Sequence, residues 1–108
     1  MRKDTENFLL SSDHDLQTAR HMFQTGRYVY VVFMCHMAIE KLLKAIVAET
    51  IDSVPPKTYN LLYLVKLANL SIPQNLFDFI AKLNNASVVT RYPQRLQESY
   101  RKLSKRGS

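Results

Sequence analysis

Between Gly26 and Val54-Pro55-Pro56 runs a stretch with neither glycine nor proline, Tyr28 to Ile51, reading YVYVVFMCHMAIEKLLKAIVAETI. Apolar residues recur along it at Tyr28, Val31, Val32, Cys35, Ala38, Ile39, Leu42, Leu43, Ile46 and Val47. Steps of three and four place them on one broad helical stripe, and the strict alternation of a strand fails after Val32. A helix of this length spans roughly 35 Å, about the diameter of a small domain. The other helices are expected to be shorter and to bury their own stripes against it.

The rest of the chain divides around this helix. A first helix is expected from about Asp4 to Thr25, capped by Asp4 or Thr5, with Glu6 placed well in the first turn. Its apolar face is Phe8, Leu9, Leu16, Ala19, Met22 and Phe23. Gly26 ends it by taking a left-handed conformation, and so short a turn makes the first two helices antiparallel neighbours. The prolines stop the long helix. Thr58 is placed to cap a third helix from Tyr59 to about Leu70. Ser71, Pro73 and Gln74 read as the cap, first turn and capping-box partner of a fourth. That helix carries Leu76, Phe77, Ile80 and Leu83 and is expected to lose its character within 84–90, where Val88, Val89 and Thr90 are β-branched. A short, basic fifth helix is expected over 94–103, with Leu96, Tyr100 and Leu103 on one face. The fold class is therefore all-α: an up-and-down bundle of four main helices plus a short basic C-terminal helix.

Length and composition agree. The 108 residues suit one domain, 1–108, and 46% apolar residues argue against disorder. The single cysteine, Cys35, excludes an internal disulfide and a paired-cysteine zinc motif. It reads as a small core residue rather than a nucleophile. No apolar run approaches the roughly 18 residues of a membrane span, and Met1-Arg2-Lys3 leads into polar residues, not a signal peptide. A cytoplasmic protein is the expectation.

Charge is unevenly spread. Residues 1–90 hold nine Lys/Arg against eight Asp/Glu, whereas residues 91–108 hold six against Glu98 alone. The last eighteen residues thus carry +5 of the formal +6. This is either a surface for a polyanion such as RNA or an acidic partner, or a solvated basic tail.

Gly26-Arg27-Tyr28, then Phe33-Met34-Cys35-His36-Met37-Ala38-Ile39-Glu40-Lys41, then Lys44-Ala45, resemble the central helix of the HEPN (higher eukaryotes and prokaryotes nucleotide-binding) domain. Further motifs follow in order. Pro55-Pro56-Lys57-Thr58-Tyr59-Asn60-Leu61-Leu62 is similar to the family's loop and third-helix start, with Tyr59 where His is common. Ile72-Pro73 and Thr90-Arg91-Tyr92-Pro93 match later positions, with Gln94 in an acidic place. The resemblance spans about residues 8–95.

It implies a helical bundle, with His36, Glu40, Lys41 and Lys44 as its scaffold motif. It also implies partners: a homodimer, or a heterocomplex with a small nucleotidyltransferase in a toxin–antitoxin-type pair. Many members are ribonucleases with an Arg followed after a few residues by His; the Arg can grip a phosphate and the imidazole move a proton. Here Arg91 is present, but no His follows it. The expected function is accordingly a binding module without an intact ribonuclease motif. The alternatives are a ribonuclease acting through Arg91, and a nucleotide- or RNA-binding dimer using Arg91, Tyr92 and Arg95. Members usually continue into a full final helix, so ending at Ser108 is expected to leave an apolar groove for a second copy or another protein.

Two constellations carry more than one reading. Arg91 and Tyr92 suit holding a phosphate and stacking a base, or else Arg91 binds carbonyls at a helix end. His36 and Glu40 share a helix face; as metal ligands they lack partners, since His14 and His21 fall on another helix out of register. They are expected to form a partly exposed surface pair. No Gly-rich phosphate loop is present, and no metal or cofactor is expected.

Overall fold

A computed structural model describes residues 1–90. They form four α-helices and no strand: α1 (Lys3–Gln24), α2 (Tyr28–Ile51), α3 (Leu61–Leu67) and α4 (Gln74–Thr90). The expected fifth helix and Arg91, Tyr92 and Arg95 lie outside the described residues.

The long helix has the bounds its sequence predicts. At its start, Gly26 takes φ +77°, donates to the Phe23 carbonyl at 3.2 Å, and lets Arg27 N–H reach the Met22 carbonyl at 2.8 Å. This is a Schellman close to α1. At its end, Asp52 turns left-handed at φ 49°, three residues ahead of Pro55. The helix therefore stops by its own cap before the prolines forbid continuation.

Other boundaries differ from expectation. Neither Asp4 nor Thr5 caps α1; the cap position is Arg2, and Asp4 Oδ1 instead accepts the Arg2 Nε–H and the Thr5 N–H. The third helix is capped by Asn60, whose Oδ1 accepts from Leu62 and Tyr63, while Thr58 Oγ1 accepts from Asn60 N–H one step earlier. Both residues are good caps, and the asparagine lies next to the helix. Gln74 forms no capping box: its side chain donates to Asp78 at 2.8 Å. The fourth helix also does not fade after Asn84 but continues to Thr90. Ile80 and Leu83 are buried on it, Ser87 is 1% exposed, and Asn84 Oδ1 receives the Leu61 N–H at 3.0 Å. Packing of this kind outweighs the small helix penalty of β-branched residues.

The long helix stands between two layers. One face carries Leu43 and Val47 into a core with Leu61, Leu64 and Val65 of α3, Ala68 just beyond it, and Ile80 and Leu83 of α4. The opposite side takes α1, which among the described residues packs on no other helix. The α1–α2 contact is built from small residues: Thr5 and Ala19 are buried, as are Ala38, Ala45 and Ala48, and Ser12 Oγ donates to the Ala38 carbonyl at 2.6 Å. Of the expected α1 stripe only Ala19 is buried; Leu9, Leu16 and Phe23 stay exposed. The small facing residues draw the helices together and leave the larger side chains at the edge of the contact.

The far end of the hairpin is held by charge. Arg2 binds Asp4 at 2.9 Å and Asp52 at 3.1 Å, and its backbone N–H donates to Glu49. The hydrogen bond from Arg2 holds the Asp4 carboxyl below its usual range.

Candidate functional site

The helical repeat decides where the scaffold residues go. His36, Glu40 and Lys44 follow one another at steps of four and occupy one row of α2, with Lys41 a further 100° round toward α1. His36, Glu40, Leu43 and Val47 also continue one another at steps of four, three and four. The histidine and glutamate therefore extend the row that forms the core.

They are buried accordingly: His36 is 0% and Glu40 3% exposed. This corrects the expectation of a partly exposed surface pair. That expectation assigned α2 one covered face, whereas the helix is covered on two. His36 Nδ1 stands 3.6 Å from Glu40 Oε1, an electrostatic contact beyond hydrogen-bond length. Lys44 Nζ donates to Glu40 Oε2 at 3.2 Å. With Glu40 N-terminal to Lys44 the order is the favourable one, and the bond gives a counter-charge to a carboxylate that burial would otherwise leave unpaired.

Lys41 turns to the other layer. Its Nζ lies 2.6 Å from Asp15 Oδ2 of α1, an ion pair whose angle is not that of a hydrogen bond. The Asp15 side chain is only 8% accessible and that of Lys41 22%. Nothing in the sequence reading picked out Asp15. A signal was there, however: Phe8, Ser12, Asp15, Ala19 and Met22 recur at steps of four and three, so a carboxylate sits within the face that meets α2.

Cys35 is half-buried against the core, as its reading predicts, and burial pushes its thiol pKa up. That moves it away from nucleophilic reactivity. Among the described residues no three of His, Cys, Asp and Glu are grouped so as to hold a metal. No described helix is long and apolar enough to cross a membrane.

Open grooves lie elsewhere. Two run along the α1–α2 hairpin and a third lies between α3 and the start of α4, beside Leu62, Lys66, Ile72 and Phe77. None of the three is lined by His36, Glu40, Lys41 or Lys44.

The buried motif on a central helix of an all-α chain is matched by comparison with protein families: the HEPN domain model covers residues 5–106. The chain belongs to the HEPN domain family. No curated protein and no solved structure matches it. The match bears out the family resemblance over nearly the whole chain. In this HEPN domain the charges of the central-helix motif are joined inside the fold: Glu40 to Lys44, with His36 alongside, and Lys41 across to α1. The Lys41–Asp15 pair ties α1 to α2, and the two lysines hold the buried carboxylates.

Proposed function

We propose that this HEPN domain is a binding module that acts through a protein partner, a small nucleotidyltransferase, in a toxin–antitoxin-type pair. The observation that carries the reading is the division of side chains. The charged motif of α2 is drawn inward, while large apolar residues stand outward: Leu10 is 72%, Phe23 62% and Phe79 54% exposed. Apolar groups left open at this level suit a protein contact. The sequence adds that 91–108 lack the histidine of the family's ribonuclease pair.

Native mass spectrometry on the chain purified from its own cells tests it. A heterocomplex with a nucleotidyltransferase is the expected result; a chain recovered without one refutes the pairing. A second reading, RNA or nucleotide binding through Arg91, Tyr92 and Arg95, is favoured by the +5 charge of 91–108. It requires affinity that falls steeply with salt and is lost in Arg91→Ala. A ribonuclease reading requires cleavage that disappears in the same variant.

A further inference from the structure

The turn of the α1–α2 hairpin gathers exposed aromatic rings and unpaired cations. Phe23 and Tyr28 stand on either side of Gly26, 62% and 55% exposed, with their rings edge to face at 5.7 Å. Val29 is buried, so Tyr30, about 200° round the helix from Tyr28, emerges on the other flank of α2. Arg20 and Arg27 are exposed beside the rings. Among the described residues neither joins an ion pair, whereas Arg2, Lys41 and Lys44 are all taken up by carboxylates.

Charge is spread unequally along the hairpin. From Leu16 to Ile39 it holds Arg20 and Arg27 and no Asp or Glu. Asp4, Glu49 and Asp52 are gathered around Arg2 at the far end. The length of α2 separates the two ends by roughly 35 Å. That is several times the screening length of about 8–10 Å in physiological salt. An anionic surface meeting the turn therefore feels the arginines and not the carboxylates.

We propose that the turn docks on the surface of an anionic lipid bilayer. Phe23 and Tyr28 enter the headgroup layer, and Arg20 and Arg27 bind lipid phosphates around them. Aromatic rings, above all those with a polar edge such as tyrosine, are favoured at this depth. Each basic residue close to an anionic leaflet strengthens binding about fivefold. Single-stranded nucleic acid, the other polyanion, fits less well. It is held on open ring faces along a groove that tracks several phosphates. Here the edge of one ring covers the face of the other, and the two arginines sit on a projecting turn. The contact goes beyond the pairing proposed above and does not rest on it: Leu10 and Phe79 are left for a protein.

The full chain, mixed with phosphatidylcholine vesicles with or without phosphatidylglycerol, tests it. Co-sedimentation is expected with the anionic vesicles and not with the neutral ones. Arg20→Gln and Arg27→Gln should each weaken it about fivefold, since each removes one charge from the surface contact. The chain has no tryptophan, so Phe23→Trp supplies a single reporter at the turn. Its emission should move to shorter wavelength on anionic vesicles, while that of Leu10→Trp, elsewhere on α1, should not. The arginine variants keep the test decisive should Phe23→Trp fold poorly. Vesicle binding that survives both arginine changes would come from the basic residues of 91–108 and overturns the proposal. So does a reporter at position 23 that fails to shift, or a matching shift at position 10. A shift on an oligo(U) or oligo(dT) strand, with none on vesicles, would assign the turn to nucleic acid instead.

Discussion

Lys41→Met should be among the most damaging conservative changes in the chain. The substitution keeps the aliphatic stem and removes the charge 2.6 Å from Asp15 Oδ2. At an effective dielectric of about 20, two unit charges at that distance attract by about 6 kcal/mol. Most of this offsets desolvation, so the pair itself adds little net stability. Removing one side is different. Asp15 is 92% shielded at its side chain, judged from its 8% accessibility, and would be left as an unpaired buried carboxylate. The expected loss is about 3 kcal/mol. For a domain near 100 residues that lowers Tm by about 12–20 °C. The partner change is milder: Asp15→Leu leaves Lys41, whose 22% accessible side chain can turn to water, and should cost about 1 kcal/mol. The double variant should fall within about 1 kcal/mol of the parent, because it removes both charges and keeps the volume. Urea unfolding of the four proteins gives the cycle. Additive losses, or a Lys41→Met loss below about 0.5 kcal/mol, would falsify the account of a buried, mutually dependent pair.

Other perturbations follow from single observations. Thr5 Oγ1 is buried without a hydrogen-bond partner, so Thr5→Val should raise stability by about 1 kcal/mol in the same urea assay, and a loss would mean the hydroxyl is satisfied. Asn69 holds φ 56° at the Schellman close of α3; Asn69→Gly should stabilise by up to about 1 kcal/mol, and no gain would place the strain elsewhere. Because the Arg2 hydrogen bond lowers the folded pKa of Asp4, its contribution is present above the unfolded carboxyl pKa and lost as pH falls through the folded value. Stability should therefore drop below about pH 4, and Asp4→Asn should flatten that part of the profile when Tm is followed against pH.

The sequence was most readable where local chemistry decides. The absence of Gly and Pro from Tyr28 to Ile51, with Gly26 before it and the prolines after, leaves little freedom in where α2 lies. Gly26 itself needs no tertiary information, since a left-handed cap is a local requirement. The readings that shifted all depend on what packs where. Thr58 reads as the cap of α3 only while the helix is taken to begin at Tyr59; with its start at Leu61, Asn60 takes that place. Val88, Val89 and Thr90 argue for a helix end until Ser87 and Leu83 are seen buried. His36 and Glu40 look like surface residues if α2 has one covered face, and only the position of α3 and α4 opposite α1 covers the second. Asp15 lies 26 residues from Lys41, so their pairing follows from the register of two helices rather than from either helix alone. The expected contacts of Arg91, Tyr92 and Arg95 fall outside the described residues, and their roles rest on sequence.

Because α1 rests on α2 alone among the described residues, the two sides of the molecule are coupled through a single helix. The buried cluster formed by α2, α3 and α4 includes no α1 side chain, so a partial opening that frees α1 would leave that cluster's own contacts in place. Amide hydrogens of α1 should therefore exchange with solvent through this partial opening, and those of α2 facing α3 and α4 only when the whole domain unfolds. The same opening would carry Asp15 away from Lys41 and admit water to both. The inner ion pair thus fixes where α1 sits on α2 more than how tightly it is held.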